Sequence, residues 1–287
     1  MEINITSQRV WMITGASRGF GAKIVAAALQ AGDAVVATAR NPQSLNEQFE
    51  QFGRHANLLT LALDVTDEQQ ATVAAQAAVQ RFGRIDILVN NAGYGLLGAV
   101  EEASDAEVKH QFDTNVFGLL NVTRAVLPHM RARRAGHVIN ISSVGGYTAY
   151  AGWGVYGATK FAVEGLTEAL SQELAPLGIH ATVVEPGFFR TDFLEATSMI
   201  ETGRRIEDYA ATVGEMRIFA SAVSGQQPGD PDKLAAVLVK LGHTAQPPVR
   251  LPLGTDTISR MEAKHAFVEA ELQQWREVAA STDFPKA

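Results

Sequence analysis

The sequence predicts an α/β protein: one doubly wound parallel sheet of seven strands, covered by helices on both faces. Three observations carry that expectation. Short β-branched or apolar runs at 10–14, 34–39, 58–63, 85–89, 137–141, 180–185 and 249–253 alternate with longer segments of helical period. Parallel strands need such crossovers, which lay helices on both faces of the sheet. A glycine-rich turn follows the first run and opens a helix. No fixed-period repeat, low-complexity tract or Pro/Gly-rich linker divides the 287 residues, so a single domain is expected.

Taken in order, the first run ends in Thr14-Gly-Ala-Ser-Arg-Gly-Phe-Gly21. Glycines let a backbone approach a pyrophosphate, and the N-terminus of the following helix, expected over 21–31, offers free N–H groups to it. The same residues contain Gly15-Ala-Ser-Arg-Gly19, which also matches the Gly-x-Ser-x-Gly elbow of a serine hydrolase. That alternative needs an oxyanion loop from a strand upstream, and only fourteen residues precede Gly15.

The second run ends in Thr38-Ala39-Arg40, with no acid for the ribose hydroxyls of NAD. Arg40, with Arg18 of the glycine turn, would bracket the 2′-phosphate of NADP; the alternative is two solvated surface arginines. Asp33 stands at the wrong end of the strand. The third run closes on Asp64-Val65, a carboxylate for an adenine amino group, with a helix N-cap near Asp67 as the alternative use of this acidic stretch. The helix after it is expected over 67–81. The fourth run leads into Asn90-Asn-Ala-Gly93-Tyr-Gly95, small and polar residues that suit a turn or a cofactor wall. One amphipathic helix is expected over 107–133. Asn115 inside it is a poor mid-helix residue, kept for a hydrogen bond or merely tolerated.

The fifth run ends in Ser142-Ser143, and Tyr156-Gly-Ala-Thr-Lys160 follows on a helix expected over 155–177. Tyrosine and lysine four apart share a helix face. A free phenol titrates near pH ~10, so proton transfer near neutrality needs a shift of about three units, roughly 4 kcal/mol. A unit charge about 4 Å away in an effective dielectric of ~20 supplies approximately that much. The spacing therefore leads to the expectation that Lys160 lowers the pKa of Tyr156, with the Ser143 hydroxyl brought to the same point.

Together, the glycine turn, Asn90-Asn-Ala-Gly93, Asn115, Ser143, Tyr156-x-x-x-Lys160 and Pro186-Gly187 resemble, in order and spacing, the short-chain dehydrogenase/reductase family. The resemblance spans residues 8–190 and is to the non-extended branch, weakly to carbonyl reductase-like and 17β-hydroxysteroid dehydrogenase-like members. It implies a Rossmann-type fold binding NADP(H). By that resemblance Tyr156 is the general acid of carbonyl reduction, Lys160 tunes it and holds the nicotinamide ribose, Ser143 polarises the carbonyl, and Asn115 supports a relay water. Gly15, Gly19 and Gly21 would line the pyrophosphate, joined by Ser17, Arg18 and Phe20 of the same turn. Arg40, Asp64 and Val65 would serve the adenosine end. Asn91, Ala92 and Gly93 would wall the cofactor, and Pro186, Gly187 and Thr191 would meet the nicotinamide, Thr191 through its carboxamide.

Beyond Thr191 the sequence is less readable. Aromatic and apolar residues of 188–227, among them Phe188 and Phe193, would join Tyr94, Tyr147 and Trp153 around an apolar substrate pocket under a mobile lid; the alternative is plain core. A bulky hydrophobic ketone or aldehyde follows as the expected substrate. After the last run, Ile258, Met261, His265, Val268, Leu272 and Trp275 recur at three and four residue steps, a helical seam within an extension over 254–287. Packing on its own domain is the expectation, with a dimer contact as the alternative; the family resemblance implies a homo-oligomer, dimer or tetramer.

Composition excludes several classes. A net charge of −7 without a basic stripe argues against nucleic-acid binding. The absence of cysteine removes disulfides, thiolate metal sites and a cysteine nucleophile. The seven histidines show no His-x-x-x-His pairing, so no metal is expected. Met1-Glu-Ile-Asn-Ile-Thr6 lacks a leader pattern and no apolar run reaches membrane-spanning length, so a cytoplasmic protein without a membrane partner is expected, and the Asn-x-Ser/Thr triplets at Asn4, Asn121 and Asn140 are accidental.

Overall fold

The computed structural model describes residues 8–49 and 56–284. Asn4 and the N-terminal stretch read above for a leader lie outside the described residues. Seven parallel strands form the sheet: β1 (Val10–Ile13), β2 (Ala34–Ala39), β3 (Leu58–Ala62), β4 (Ile87–Asn90), β6 (Gly136–Ile141), β7 (Ile179–Pro186) and β9 (Arg250–Leu253), in the order β3-β2-β1-β4-β6-β7-β9. The order runs outward from β1 in both directions, so the strand ends of β1 and β4 part at a switch point where a ligand crevice forms. Every residue of β1, β2 and β4 is buried, as strands covered on both faces must be.

One face carries α1 (Gly19–Gln30) and α8 (Pro231–Gly242), whose Ile24, Val25, Ala28, Leu234 and Leu238 pack on Trp11, Ile13 and Val35. The other carries α3 (Glu68–Phe82) and α5 (Gly118–Arg133), with Ala71, Ala75, Val122 and Val126 packed on Met12, Val36 and Leu88. Small alanines on α3 let it approach α5 closely. Local signals explain the helix ends. Asp67 caps α3, accepting from the N–H groups of Gln69 and Gln70, and Gly83 closes it in the left-handed region. Asp230 caps α8 ahead of Pro231 in the same way.

Several elements depart from the sequence expectation. The helix expected over 107–133 is two: α4 (Asp105–Phe112), opened by a Ser104/Glu107 capping box, and α5, joined by a π-helical turn at Asp113–Phe117. The wide turn carries one extra residue per loop, which turns Asn115 out of the helix stripe and into the protein. α7 (Glu215–Val223) is a helix of the segment 188–227 expected as a lid, whereas a short α2 (Pro42–Gln48) and the crossover α8 were not expected. Neither was a separate parallel pair, β5 (Gly95–Leu97) with β8 (Met199–Glu201), which ties segment 188–227 to the strand after β4.

The C-terminal helix corrects a second expectation. α6 (Gly154–Leu174) is the catalytic-side helix foreseen, but α9 (Thr255–Ala280) does not bury its seam on its own domain. Only Thr257 and Met261 are buried, while Ile258, Val268, Leu272 and Trp275 are 47–58% exposed. The physical reason is length: α9 continues for about five turns beyond the edge strand it leaves, where no sheet lies beneath it. Among the described residues no helix is long and apolar enough to cross a membrane.

Candidate active site

The glycine turn is built as an open cradle. Gly15 and Gly19 hold φ of 63° and 53°, and a Cβ on Gly15 would sit 2.9 Å from the Ala92 Cα. Thr14 and Asn91 lock the turn to the end of β4. The Thr14 hydroxyl accepts from the N–H groups of Asn91 and Ala92, each at 3.0 Å, and Asn91 Nδ2 donates to the carbonyls of Thr14 and Gly15 at 2.9 and 3.1 Å. Arg18, at the N-cap of α1, supplies no capping bond, so the first amides of the helix stay free for an anion. Gly21 does not line the cleft as expected. A Cβ there would lie 2.3 Å from the Gly15 carbonyl, so it is the close contact of helix with turn that demands glycine.

Around this cradle runs a cleft of ≈ 510 Å³ that Ser17, Arg18, Gly19 and Phe20 share with Arg40, Asp64 and Val65. Arg40 is exposed at the carboxyl end of β2. One Arg18 guanidinium nitrogen is engaged by the Thr197 carbonyl, so Arg18 also ties the turn to segment 188–227. Asp64 accepts from the N–H and hydroxyl of Thr66 at 3.0 and 2.7 Å in a local turn, while the helix N-cap offered as the alternative is made by Asp67. Val65 is buried and its carbonyl accepts from Asn121 at 3.0 Å. Pro186 ends β7; Gly187 leaves room for Asp256 of α9, which accepts from Phe188 N–H at 2.9 Å. Thr191 stands over Gly19, its Cβ 4.0 Å from where a Gly19 side chain would begin.

Three polar side chains expected to act together, Ser143, Tyr156 and Lys160, line one wall of the cleft, and the fourth, Asn115, is buried beside them. Tyr156 and Lys160 lie one turn apart on α6, both buried, with the Lys160 Nζ 5.8 Å from the phenol ring centroid. Lys160 donates to the Ile141 carbonyl at the end of β6 at 2.8 Å. Ser143, two residues on, accepts from Gly145 N–H at 3.0 Å and meets the Tyr156 hydroxyl. Asn115 holds Tyr94 through both backbone groups and donates to Thr159 at 3.2 Å. Gly93 sits between: a Cβ there would meet Asn115 Oδ1 at 3.0 Å and Lys160 Nζ at 3.8 Å.

The electrostatics differ from the expectation in direction. Burial pushes the Tyr156 phenol up to about 12, against a smaller lowering from Ser143. Burial draws the Lys160 ammonium down to about 8, and the Glu164 carboxylate opposes that fall. Desolvation outweighs attraction because both groups are nearly dry and the ammonium is directed at the Ile141 carbonyl. Tyr156 is therefore kept protonated through neutrality.

On the far side of Tyr156 the wall is aromatic. Trp153 and Phe193 lie 5.6 and 5.5 Å from the tyrosine ring, centroid to centroid, and Gly95 makes room for both. Tyr94 and Phe188 also line the cleft, and burial with help from Asp113 pushes Tyr94 up to about 12. Tyr147 is not there. Its hydroxyl pairs with His265 and its ring faces Arg250, because the short helical turn at Val144–Gly146 sends the chain toward α9. His110, Thr114 and Tyr150 line the cleft unforeseen, and Leu194 and Ile200 of the segment 188–227 line it too. His110 and Thr114 were findable in principle, being on the turn before Asn115, had the π-helical register been known. Among the described residues no group of His, Asp and Glu is placed to hold a metal.

A doubly wound sheet with a glycine cradle at its switch point and a buried Tyr-Lys pair at its carboxyl edge defines a nicotinamide-dependent α/β oxidoreductase. The chain belongs to the short chain dehydrogenase family, whose profile matches residues 9–201. It is 37% identical over 274 residues to oxidoreductase BOA17 of Botryotinia fuckeliana, covering 96% of this chain and 99% of the relative. It is 39% identical over 248 residues to a 3-ketodihydrosphingosine reductase of Bacteroides thetaiotaomicron, covering 86% and 88%. A solved short-chain dehydrogenase from Streptomyces avermitilis superposes with a TM-score of 0.89 at 41% identity, covering 97% and 100%. Structures sharing the fold were determined with NADP in one case and NAD in another.

Proposed function

We propose that this chain is an NADP(H)-dependent reductase of bulky hydrophobic ketones or aldehydes. The observation that carries the reading is the placement of Tyr156, a protonated phenol with Ser143 on one side and an aromatic wall of Trp153 and Phe193 on the other. The cradle fits a dinucleotide: free helix amides, positive-φ glycines and backbone closeness that side chains would block. Gly15, Ser17 and Gly19 would hold its pyrophosphate. Arg40 supports NADP over NAD, since a guanidinium where NAD enzymes place an acid favours a 2′-phosphate.

When bound, the cofactor supplies or takes the hydride. Ser143 Oγ would hydrogen-bond the substrate carbonyl oxygen, and Tyr156 Oη would deliver its proton to that oxygen as charge develops. Lys160, buried and charged, stabilises the phenolate left behind. Asn115 keeps Tyr94 and the strand end after β4 in place. Segment 188–227, which supplies Phe188, Phe193, Leu194 and Ile200, excludes water from the reacting oxygen. One relative is named as a reductase of a ketone, which agrees with this class. Assembly into a homo-oligomer belongs to the same reading, with the exposed seam of α9 as the surface buried. Following NADPH oxidation with a panel of aromatic and long-chain ketones tests the proposal; highest efficiency on small charged oxo acids would contradict it.

A further inference from the structure

Behind the Tyr-Lys pair, on the side away from the cleft, lies an acidic cluster for which the proposed reaction has no stated use. Glu164 is one helical turn beyond Lys160 on α6, and Glu185 lies on β7; they are 5% and 0% exposed. Arg250 on β9 joins them. Its Nη1 donates to Oε2 of Glu164 and, at 3.1 Å, to Oε1 of Glu185, while Nη2 donates to Glu168 at 2.9 Å. The remaining oxygens, Oε1 of Glu164 and Oε2 of Glu185, are buried without a well-formed donor, although the Ser142 hydroxyl lies close enough to Glu164 to favour its ionised form. The two carboxyl groups are nevertheless in hydrogen-bonding contact with each other.

Two ionised carboxylates in that position would face each other with unpaired oxygens out of water, an arrangement penalised both by desolvation and by repulsion. One proton between them removes both penalties, since the protonated group donates and the ionised one accepts. Burial raises both carboxyls, and the neighbouring Glu164 raises Glu185 further. The other charged or titratable groups about the cluster are Lys160 and Glu168 on α6, Tyr147 on the loop after β6, and Lys264, His265 and Glu269 on α9. The α9 groups share with Glu164 and Arg250 an open groove, which connects the cluster with solvent protons.

We propose that Glu164 and Glu185 hold one proton between them at neutral pH, and that the single negative charge left on the pair, anchored by Arg250, keeps buried Lys160 an ammonium. The two glutamates are thus positioning residues that act through Lys160 on Tyr156. Glu185 is the proton holder and Glu164 the charge that Lys160 feels. The roles are distinguishable because they have opposite effects. Neutralising Glu164 takes away the carboxylate that acts on Lys160 and frees Glu185 to ionise, whereas neutralising Glu185 leaves Glu164 fully ionised.

The inference rests on the site reading above, so its test is made first on the unliganded chain, where turnover plays no part. With 13C-labelled lysine and the Lys160 resonance assigned by Lys160→Arg, Glu164→Gln is expected to lower the Lys160 titration by about one to two pH units. Glu185→Gln is expected to leave it unchanged or raise it. Equal falls in both variants, or no fall in Glu164→Gln, overturn the proposal. Should a variant fail to fold, 13C-carboxyl titration of the unaltered protein decides: one buried glutamate titrating above neutrality supports it, and all glutamates titrating in the ordinary carboxylate range overturn it. In turnover, the alkaline limb of kcat/KM for reduction shifts down in Glu164→Gln alone. An unmoved limb beside a shifted Lys160 resonance upholds the shared proton and counts against the reaction reading instead.

Discussion

Asn115 grips Tyr94 by both of its backbone groups: Oδ1 accepts from the Tyr94 N–H at 3.1 Å and Nδ2 donates to the Tyr94 carbonyl at 2.9 Å. A side-chain amide replaces the missing strand neighbour just where β4 ends, and the π-helical turn exists to aim it there. Asn115→Leu leaves the Tyr94 N–H unpaired in a part-buried site, while the Tyr94 carbonyl keeps the Gln111 Nε2 donor at 2.6 Å. Equilibrium urea unfolding is expected to show a loss of about 1–3 kcal/mol, with kcat for ketone reduction falling as the Lys160 surroundings loosen. A variant of unchanged stability would mean that Tyr94 finds other partners.

Tyr156→Phe removes the one hydroxyl able to hand a proton to the carbonyl while keeping the ring between Trp153 and Phe193. Reduction is expected to slow by about 10²–10⁴-fold with NADPH affinity nearly intact, measured by fluorescence titration beside steady-state rates. An active Phe variant removes the tyrosine from the mechanism.

Arg40→Asp reverses the charge at the carboxyl end of β2. The ratio of kcat/KM for NADPH over NADH is expected to fall by roughly 10–100-fold, because a charge-assisted contact becomes a repulsion. An unchanged ratio would assign Arg40 to the solvent.

His137 is a pH-sensitive element remote from the cleft. It is buried beneath Thr182, whose hydroxyl lies 2.8 Å from Nε2, and burial with the neighbouring His180 pushes it down to about 3. A base depressed in the folded state binds fewer protons there than in the unfolded chain, so its contribution is full above about pH 6.5 and is lost as pH falls toward 3. The loss is on the order of 4 kcal/mol. In His137→Gln the dependence of unfolding free energy on pH over that range is expected to flatten; identical slopes would clear His137.

Leu272→Glu with Trp275→Glu places charge on the exposed face of α9. Sedimentation velocity is expected to show a smaller species than the unaltered chain, with the fold retained by circular dichroism. A shared sedimentation coefficient would free α9 of any role in assembly.

Much of this protein was legible before folding. The alternation of runs determined seven parallel strands, because a buried parallel strand must be apolar throughout and a crossover helix must be amphipathic, and both leave marks within a dozen residues. The glycine turn and the Tyr-x-x-x-Lys spacing are likewise local, and the structure gathers their side chains along one cleft.

What only tertiary structure decided depends on atoms distant in the chain. A helix period cannot report a π turn whose stability comes from Asn115 reaching Tyr94, twenty-one residues away. Apolar spacing marked the seam of α9 but not whether its own domain lies against it; the sheet ends at β9, and the domain leaves most of the seam uncovered. Tyr147 looked like pocket wall until the turn after Ser143 carried it to His265. The sign of the tyrosine's shift was also undecided by spacing. Four residues along a helix bring Lys160 near Tyr156, but the depth at which the sheet and α6 bury both determines that desolvation prevails over attraction.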